Sequence, residues 1–193
     1  KAAEKQMPGR VTVIRPGLIV GPGDTTDRFT YWPARAARGG EILAPESPNL
    51  PTQFIDAREL AAFMLRCIEL KTLGIFNADA QAGSITLGRM LDACRSAAGV
   101  DSSVTWVPAD FLEKQNVGAW MDLPCWIPAK GDEAGFGRLS AAKALAAGLA
   151  YRPLEQTVRD TLAWWQQQPE ERRAKPKAGL SAEREAAVLL AWR

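Results

Sequence analysis

The stretch from Arg10 to Asp24 constrains the fold of this chain more than any other segment. It begins with β-branched residues, breaks at Arg15-Pro16-Gly17 and ends in Gly-Pro-Gly-Asp. A run of Val, Thr and Ile without polar alternation predicts a strand buried on both faces of a parallel sheet. Proline cannot donate to a sheet ladder, so we expect the strand to end near Pro16. Ligands of open α/β sheets bind beyond the carboxyl ends of strands, so Gly17 marks the predicted ligand edge.

Composition narrows the class of protein. The chain has 193 residues, of which 47% are hydrophobic, which is enough for one large domain with a packed core. The net charge of +2 is small and unclustered, and no apolar run reaches the roughly 18 residues that cross a bilayer. The composition therefore gives no reason to expect nucleic acid or a membrane as a partner.

The cysteine and histidine content bears on compartment and chemistry. Three cysteines lie far apart without a C-x-x-C pair, which predicts free thiols in a reducing, cytoplasmic compartment. The chain has no histidine. That excludes Ser-His-Asp hydrolysis and the usual zinc sites from this segment, and no metal site is predicted.

Apolar periodicity and turn residues predict alternating strands and helices. Asp56 is the expected N-cap of one helix, and Gly99 closes another. The predicted strands cover 10–16, 41–44, 52–55, 74–77 and 103–107. The predicted helices cover 28–39, 57–70, 86–98, 141–147 and 154–167, with a short one after 108. Strands that alternate with helices are typical of an α/β fold with a parallel sheet.

Four segments resemble, in order, motifs of one protein family. R-P-G-L-I-V-G-P-G-D is similar to the R-P-x-x-V-Y-G-P segment of extended short-chain dehydrogenases/reductases, the NAD-dependent epimerase/dehydratase group. Q-F-I-D-A-R-E-L-A, G-I-F-N-A and S-A-A-K-A followed by G-L-A-Y-R-P resemble the family's next three motifs. The segments begin at residues 15, 53, 74 and 140. Together with the strand before the first segment and the residues after the last, the resemblance covers about residues 10 to 165.

The resemblance implies the C-terminal part of a doubly wound, Rossmann-like parallel sheet with a small mixed α/β substrate domain. The family's G-x-x-G-x-x-G and Tyr-x-x-x-Lys motifs are absent, so we interpret the chain as part of a longer enzyme that is inactive by itself. Residues 1–168 form this domain. Residues 169–193 are expected to be a charged linker and an amphipathic helix that add little to the core. This helix covers either a homodimer interface or the flank of the sheet.

The family's mechanism is hydride transfer at a hydroxyl or carbonyl carbon, with NAD or NADP as cofactor. A Tyr acts there as acid and base beside a Lys. Lys1 is either that catalytic lysine or its neighbour, the true lysine lying one residue upstream. The alternative from another class is a non-catalytic sensor of the same fold that binds a dinucleotide.

The resemblance also implies which residues contact the cofactor. In the family, the backbone at this turn contacts the nicotinamide carboxamide. The resemblance therefore implies that the cofactor-contact residues are Pro16, Gly17, Leu18 and Ile19. A glycine here allows close approach because no Cβ intervenes. The competing interpretation is a plain turn that ends a strand.

Candidate substrate residues follow the ligand edge. Arg28, Tyr31 and Trp32 combine a cation suited to carboxylate or phosphate with aromatic walls; the alternative is a partly buried interface or a loop anchor. Gln53 is a further candidate, beside a threonine at the position where sugar-nucleotide epimerases carry a diphosphate-binding Arg. Trp126 is expected to be a lid over the substrate, or else ordinary packing.

Overall fold

The computed structural model describes residues 2–193 except for the side chain of Asp132; strands and helices are interleaved up to β6, and helices follow one another after it. The strands are β1 (Thr12–Pro16), β2 (Ile19–Val20), β3 (Gly40–Pro45), β4 (Ile55–Asp56), β5 (Gly74–Ala78) and β6 (Ser102–Val107). The helices are α1 (Ala2–Gln6), α2 (Tyr31–Ala36), α3 (Ala57–Glu69), α4 (Leu87–Ala98), α5 (Ala109–Lys114), α6 (Ala142–Ala146), α7 (Leu154–Gln166), α8 (Glu170–Ala174) and α9 (Ala182–Trp192). A 3₁₀ turn covers Gly131–Glu133.

All three strand pairs in the described residues are parallel: β1 with β5, β2 with β4, and β3 with β6. The register places Pro16 beside Ala78 and Val20 beside Asp56, so these carboxyl ends lie at one edge. Parallel strands need a crossover; α2 lies between the paired strands β2 and β4, and α3 and α4 lie between the paired strands β3 and β6. The predicted α/β class with parallel strand pairing is confirmed.

Local capping signals fix where the central helices begin and end. Asp56 caps α3 by accepting from the Arg58 N–H, while the Glu59 side chain accepts from the Asp56 N–H. The Thr86 hydroxyl caps α4 by accepting from the Arg89 N–H, and Gly99 ends the helix with a left-handed φ of 64°. The predicted boundaries of these two helices are therefore correct to within two residues.

The apolar side chains form two clusters. The larger one joins β3, α2, α4, α7 and α9 around fully buried side chains such as Trp32 and Met90. The smaller one joins β5, α3 and α6, where the rings of Phe63 and Phe76 meet edge to face at 5.8 Å. None of the helices in the described chain is long and apolar enough to cross a membrane.

The prediction that the first strand is buried on both faces is wrong. β1 pairs only with β5 among the described strands, and Val13 is 38% exposed. The apolar side chain of Met64 on α3 is likewise exposed. We call the exposed apolar side chains of β1, β2, β5 and α3, together with Leu73, the β1–α3 flank; they are Val13, Ile19, Met64, Leu65, Ile68, Leu73 and Ile75. An apolar strand sequence does not reveal whether a second neighbour is present.

The expectation that residues 170–193 add little to the core is also wrong. Leu180, Val188 and Leu189 belong to the larger apolar cluster. Glu185 is 3% exposed and accepts from the Arg35 guanidinium at 2.5 Å. The charged sequence had suggested a linker, but its charges pair with buried partners that lie more than 140 residues away.

Candidate functional site

A cavity of about 630 Å³ opens at the carboxyl ends of β1 and β2. The segment Gly17–Val20 lines one side, and the loop 22–26 with Trp120 lines the other. This volume is typical of sites for small ligands. A cavity of about 740 Å³ lies between Arg10 and Leu73, at the opposite, amino-terminal end of β1. Parallel sheets bind ligands at their carboxyl edge, so the first cavity is the candidate site.

Gly17 lies where the backbone of β1 comes closest to β5. Its N–H donates to the Ala78 carbonyl at 3.1 Å. A Cβ at this position would lie 2.1 Å from Oδ2 of Asp79, so only glycine fits unless Asp79 moves. Leu18 and Ile19 continue the wall, whereas Pro16 is exposed outside it. Three of the four predicted cofactor-contact residues therefore line one cavity.

Asp79 is a buried carboxyl group that sequence reasoning missed. It is 5% exposed, and the Ala80 N–H donates to its Oδ1 at 2.9 Å. No Lys or Arg in the described chain forms an ion pair with it. Burial raises the pKa of this carboxyl to about 6. Its position directly after the predicted strand 74–77, at the same edge as Gly17, was the signal that could have identified it.

Asp24 organises the loop on the far side of the cavity. Its Oδ1 accepts from the Thr26 N–H at 2.9 Å and from the Thr26 hydroxyl at 2.8 Å. Its Oδ2 accepts from the Thr30 hydroxyl at 3.0 Å. Asp24 is buried, so these bonds replace the water that its carboxylate gives up. The loop is held by its own side chains.

Arg28 follows in this loop and stacks on Trp120. The guanidinium carbon lies 5.1 Å from the centre of the ring, and Nη2 contacts the Met121 sulfur at 3.5 Å. Nε of Arg28 is buried without a hydrogen-bond partner in the described chain. Two carboxylates of the same loop are already bonded, Asp24 within the loop and Asp27 to Arg172. Arg28 thus keeps an uncompensated positive charge beside an aromatic residue of the cavity wall.

Tyr31 and Trp32 lie elsewhere, which corrects their predicted placement on an aromatic wall of the pocket. Trp32 is fully buried, and its indole N–H donates to the Pro124 carbonyl at 2.8 Å. Tyr31 is 5% exposed and packs against Gly179, and burial raises the pKa of its hydroxyl above the usual range. The alternative interpretation, a loop anchor, describes both residues.

Gln53 joins three backbone groups. Its amide nitrogen donates to the carbonyls of Ala80 and Leu139 at 2.6 and 2.8 Å, and its oxygen accepts from the Leu139 N–H. The neighbouring Thr52 is fully buried, and its hydroxyl donates to the Cys125 carbonyl at 2.8 Å. Both side chains are used in holding the loop at 139 and the loop at 125.

Trp126 is 2% exposed, and its indole N–H has no partner in the described chain. It lines a separate cavity of about 580 Å³ together with Lys130, whose amine binds Asp110 at 2.7 Å. Its predicted role as a lid over the substrate stays a prediction. The predicted catalytic residue, Lys1, lies outside the described residues.

Comparison with known proteins identifies the fold. No family model matches the sequence, and no curated protein matches it. Solved structures do match. RMD from Pseudomonas aeruginosa, complexed with NADPH, has a TM-score of 0.58 at 16% identity over 84% of this chain. UDP-glucose 4-epimerase from Thermus thermophilus, complexed with NAD, has a TM-score of 0.56 at 17% identity over 86%. A putative epimerase from Burkholderia cenocepacia reaches 0.54 at 21% identity over 86%.

The chain spans about half the length of these structures: 51% of RMD, 50% of the Thermus epimerase and 48% of the Burkholderia protein. At these identities the likeness establishes the fold. This fold agrees with the family that the sequence motifs resemble.

Proposed function

We propose, from the fold shared with NAD(P)-dependent epimerases and reductases, that this chain supplies the nicotinamide-facing turn and part of the substrate wall of such an oxidoreductase. The reaction class is hydride transfer at a hydroxyl or carbonyl carbon of a small molecule. The observation that carries the proposal is the cavity at the carboxyl end of β1, bounded by Gly17, Leu18 and Ile19.

The residues at this turn suit a flat, partly polar ring. Leu18 and Ile19 offer apolar side chains, and Gly17 has no side chain to keep a ligand away from the backbone. NAD or NADP, when bound, supplies the hydride acceptor or donor. The chain's own part is to bind and orient the nicotinamide end, since the described residues include no glycine-rich pyrophosphate loop.

Arg28 supplies a positive charge beside the part of the cavity wall formed by Trp120, where we place the substrate. A guanidinium without a carboxylate partner in the described chain favours an anionic group, because charge-assisted hydrogen bonds contribute about 1.5–3 kcal/mol each. Thr52 offers no free donor for a diphosphate, because its hydroxyl already binds the Cys125 carbonyl. We therefore propose a small anionic substrate held at Arg28. Acid–base catalysis by Lys1 with a Tyr stays part of the proposal for a longer protein.

The cofactor half of the proposal is tested by nuclear magnetic resonance. Nicotinamide mononucleotide, the half of the cofactor that this turn would meet, is titrated into the ¹⁵N-labelled chain. We expect shifts of the Gly17, Leu18 and Ile19 amides. Adenosine monophosphate is the control and should leave these amides unmoved. Equal effects of the two nucleotides, or no effect of the first, would overturn this half of the proposal.

The substrate half is tested with inorganic phosphate as the probe. We expect it to shift the Trp120 indole N–H resonance, since Arg28 stacks on that ring. Arg28→Ala should abolish the shift, whereas Lys130→Ala, which removes an exposed amine at another cavity, should preserve it. A shift that survives Arg28→Ala would show that the anion binds elsewhere.

A further inference from the structure

The C-terminal segment contacts two loops on one side of the cavity, the loop at residue 25 and the loop at residue 121. Asp27 belongs to the first of these loops: it is 1% exposed, and Arg172 Nη2 donates to its Oδ1 at 2.5 Å. The backbone N–H of Lys177 donates to the other oxygen at 2.7 Å. Both oxygens of the buried Asp27 carboxylate are therefore bonded to residues that lie between α7 and α9 in the sequence.

The same segment also binds the backbone of the wall. The Lys177 amine donates to the Thr25 carbonyl at 2.8 Å, and the Gly179 N–H donates to the Met121 carbonyl at 2.7 Å. Thr25 lines the cavity, and Met121 follows the lining residue Trp120. The segment 172–180, which we call the strap, thus joins the loop at 25 to the loop at 121.

Backbone conformation shows how tightly Asp27 is held. Its φ is 60°, in the left-handed region that is uncommon for residues other than glycine. Such a conformation persists where surrounding contacts determine it. Here those contacts are the Asp24 carboxylate, which accepts from the Asp27 N–H at 3.2 Å, and the two donors of the strap. The next residue is Arg28, so the direction of its side chain depends on how Asp27 is held.

We propose that the strap is a positioning element of the candidate site, and that Asp27 is the positioning residue through which it acts. With the strap docked, Arg28 is stacked on Trp120 and the cavity wall is closed between residues 25 and 121. Without it, Asp27 keeps a buried and unpaired charge, and the loop 24–30 rearranges. The role of this positioning in substrate binding rests on the proposed role of Arg28. The coupling between the strap and the loop 24–30 does not depend on it.

Arg172→Ala tests the coupling by amide hydrogen exchange and by the Trp120 indole resonance. We expect exchange about tenfold faster or more in residues 24–31 and 118–123, a shifted Trp120 indole signal, and unchanged exchange in α3 and α4. Arg193→Ala is the matched control, because Arg193 also joins this segment to a distant carboxylate, that of Glu41, without touching the loop. Arg172→Lys, which keeps the charge, should restore part of the protection.

Two outcomes would overturn the proposal: faster exchange spread evenly over the chain, or faster exchange confined to residues 170–193. Lys177→Ala covers the case in which Arg172→Ala fails to fold. It removes an exposed amine and leaves the backbone donor, so we expect a smaller effect in the same two loops. Failure of the proposed function reads differently: the unchanged chain would then show no nicotinamide mononucleotide shifts at Gly17 and Ile19, while the faster exchange that Arg172→Ala causes in the two loops would remain.

Discussion

The β1–α3 flank and the C-terminal segment present opposite relations between sequence and burial. The flank is rich in Val, Ile, Leu and Met, yet Ile68 is 73% exposed and Ile75 is 48% exposed. The C-terminal segment is rich in charge, yet Val188 is fully buried and Glu185 is 3% exposed. The composition of a segment sets what burial would contribute; the elements that surround it decide whether burial occurs.

The physical difference lies in the partners. Charges of the C-terminal segment meet buried opposite charges, such as Glu185 with Arg35, and their apolar neighbours fill the larger cluster. On the flank, apolar side chains recur at helical spacing on the outer side of α3 at 61, 64, 65 and 68, and no described element covers them.

The largest expected effect comes from ending the chain at Gln168. Loss of α8 and α9 exposes Leu180, Val188 and Leu189 and leaves Arg35 without its carboxylate. We expect the thermal midpoint to fall by more than about 10 °C, measured by circular dichroism. Deletion of residues 1–6 is the control, since α1 has no buried residue. A midpoint within about 2 °C of the intact chain would remove the contrast between the two regions.

Glu185→Gln isolates the charge contribution of the C-terminal segment. The shape is retained, but the Arg35 guanidinium, 6% exposed, loses its ionic partner. Removing one member of a buried pair costs about 3 kcal/mol or more, so the free energy of unfolding in urea should fall by that amount. Glu183→Gln, an exposed change on the same helix, should be nearly neutral. Equal losses from both variants would show that the buried pair has no special role.

Asp79→Asn tests burial within the site. The folded pKa of Asp79 is raised from 3.8 to about 6, so the folded state binds the proton more tightly than the unfolded state does. Its contribution to stability is therefore fully present below about pH 4 and is lost as the pH rises to about 6. At pH 8 the variant should gain up to about 3 kcal/mol of unfolding free energy relative to the parent, and at pH 4 nearly none. A gain that does not vary between these pH values would disprove the titration of Asp79.

The smallest effect is expected on the flank. Ile68→Glu places a charge on a side chain that is already 73% exposed, so the free energy of unfolding should change by less than about 0.5 kcal/mol. Phe63→Ala, one turn away and 2% exposed, should lose about 3–5 kcal/mol. A large loss from Ile68→Glu, together with a change of elution volume in size-exclusion chromatography, would mean that a second copy covers the flank.

The parts of the fold that local signals determine were predictable. The capping box at Asp56 and the left-handed Gly99 fix helix ends through contacts within a few residues. The ligand edge at Gly17 followed from a strand that ends in proline. These features depend on caps and turns formed between residues that are close in sequence.

The remaining features depend on partners distant in sequence. An Arg-Phe-Thr-Tyr-Trp loop suits a pocket wall and a core anchor equally well, and only the contact with Gly179 shows that Tyr31 is an anchor. α8 carries charges that pair across about 145 residues, which no periodicity reveals. No sequence motif identifies Asp79, because its importance comes from its proximity to Gly17 in the folded chain.

That proximity has an evolutionary consequence. Positions 17 and 79 compete for one volume, since a Cβ on residue 17 would lie 2.1 Å from the Asp79 oxygen. The two positions are therefore epistatic: a mutational path that gives residue 17 a side chain first has to shorten residue 79. In an alignment of relatives that share this turn, a small residue at 79 should accompany a side chain at 17, and an acid at 79 should accompany glycine at 17.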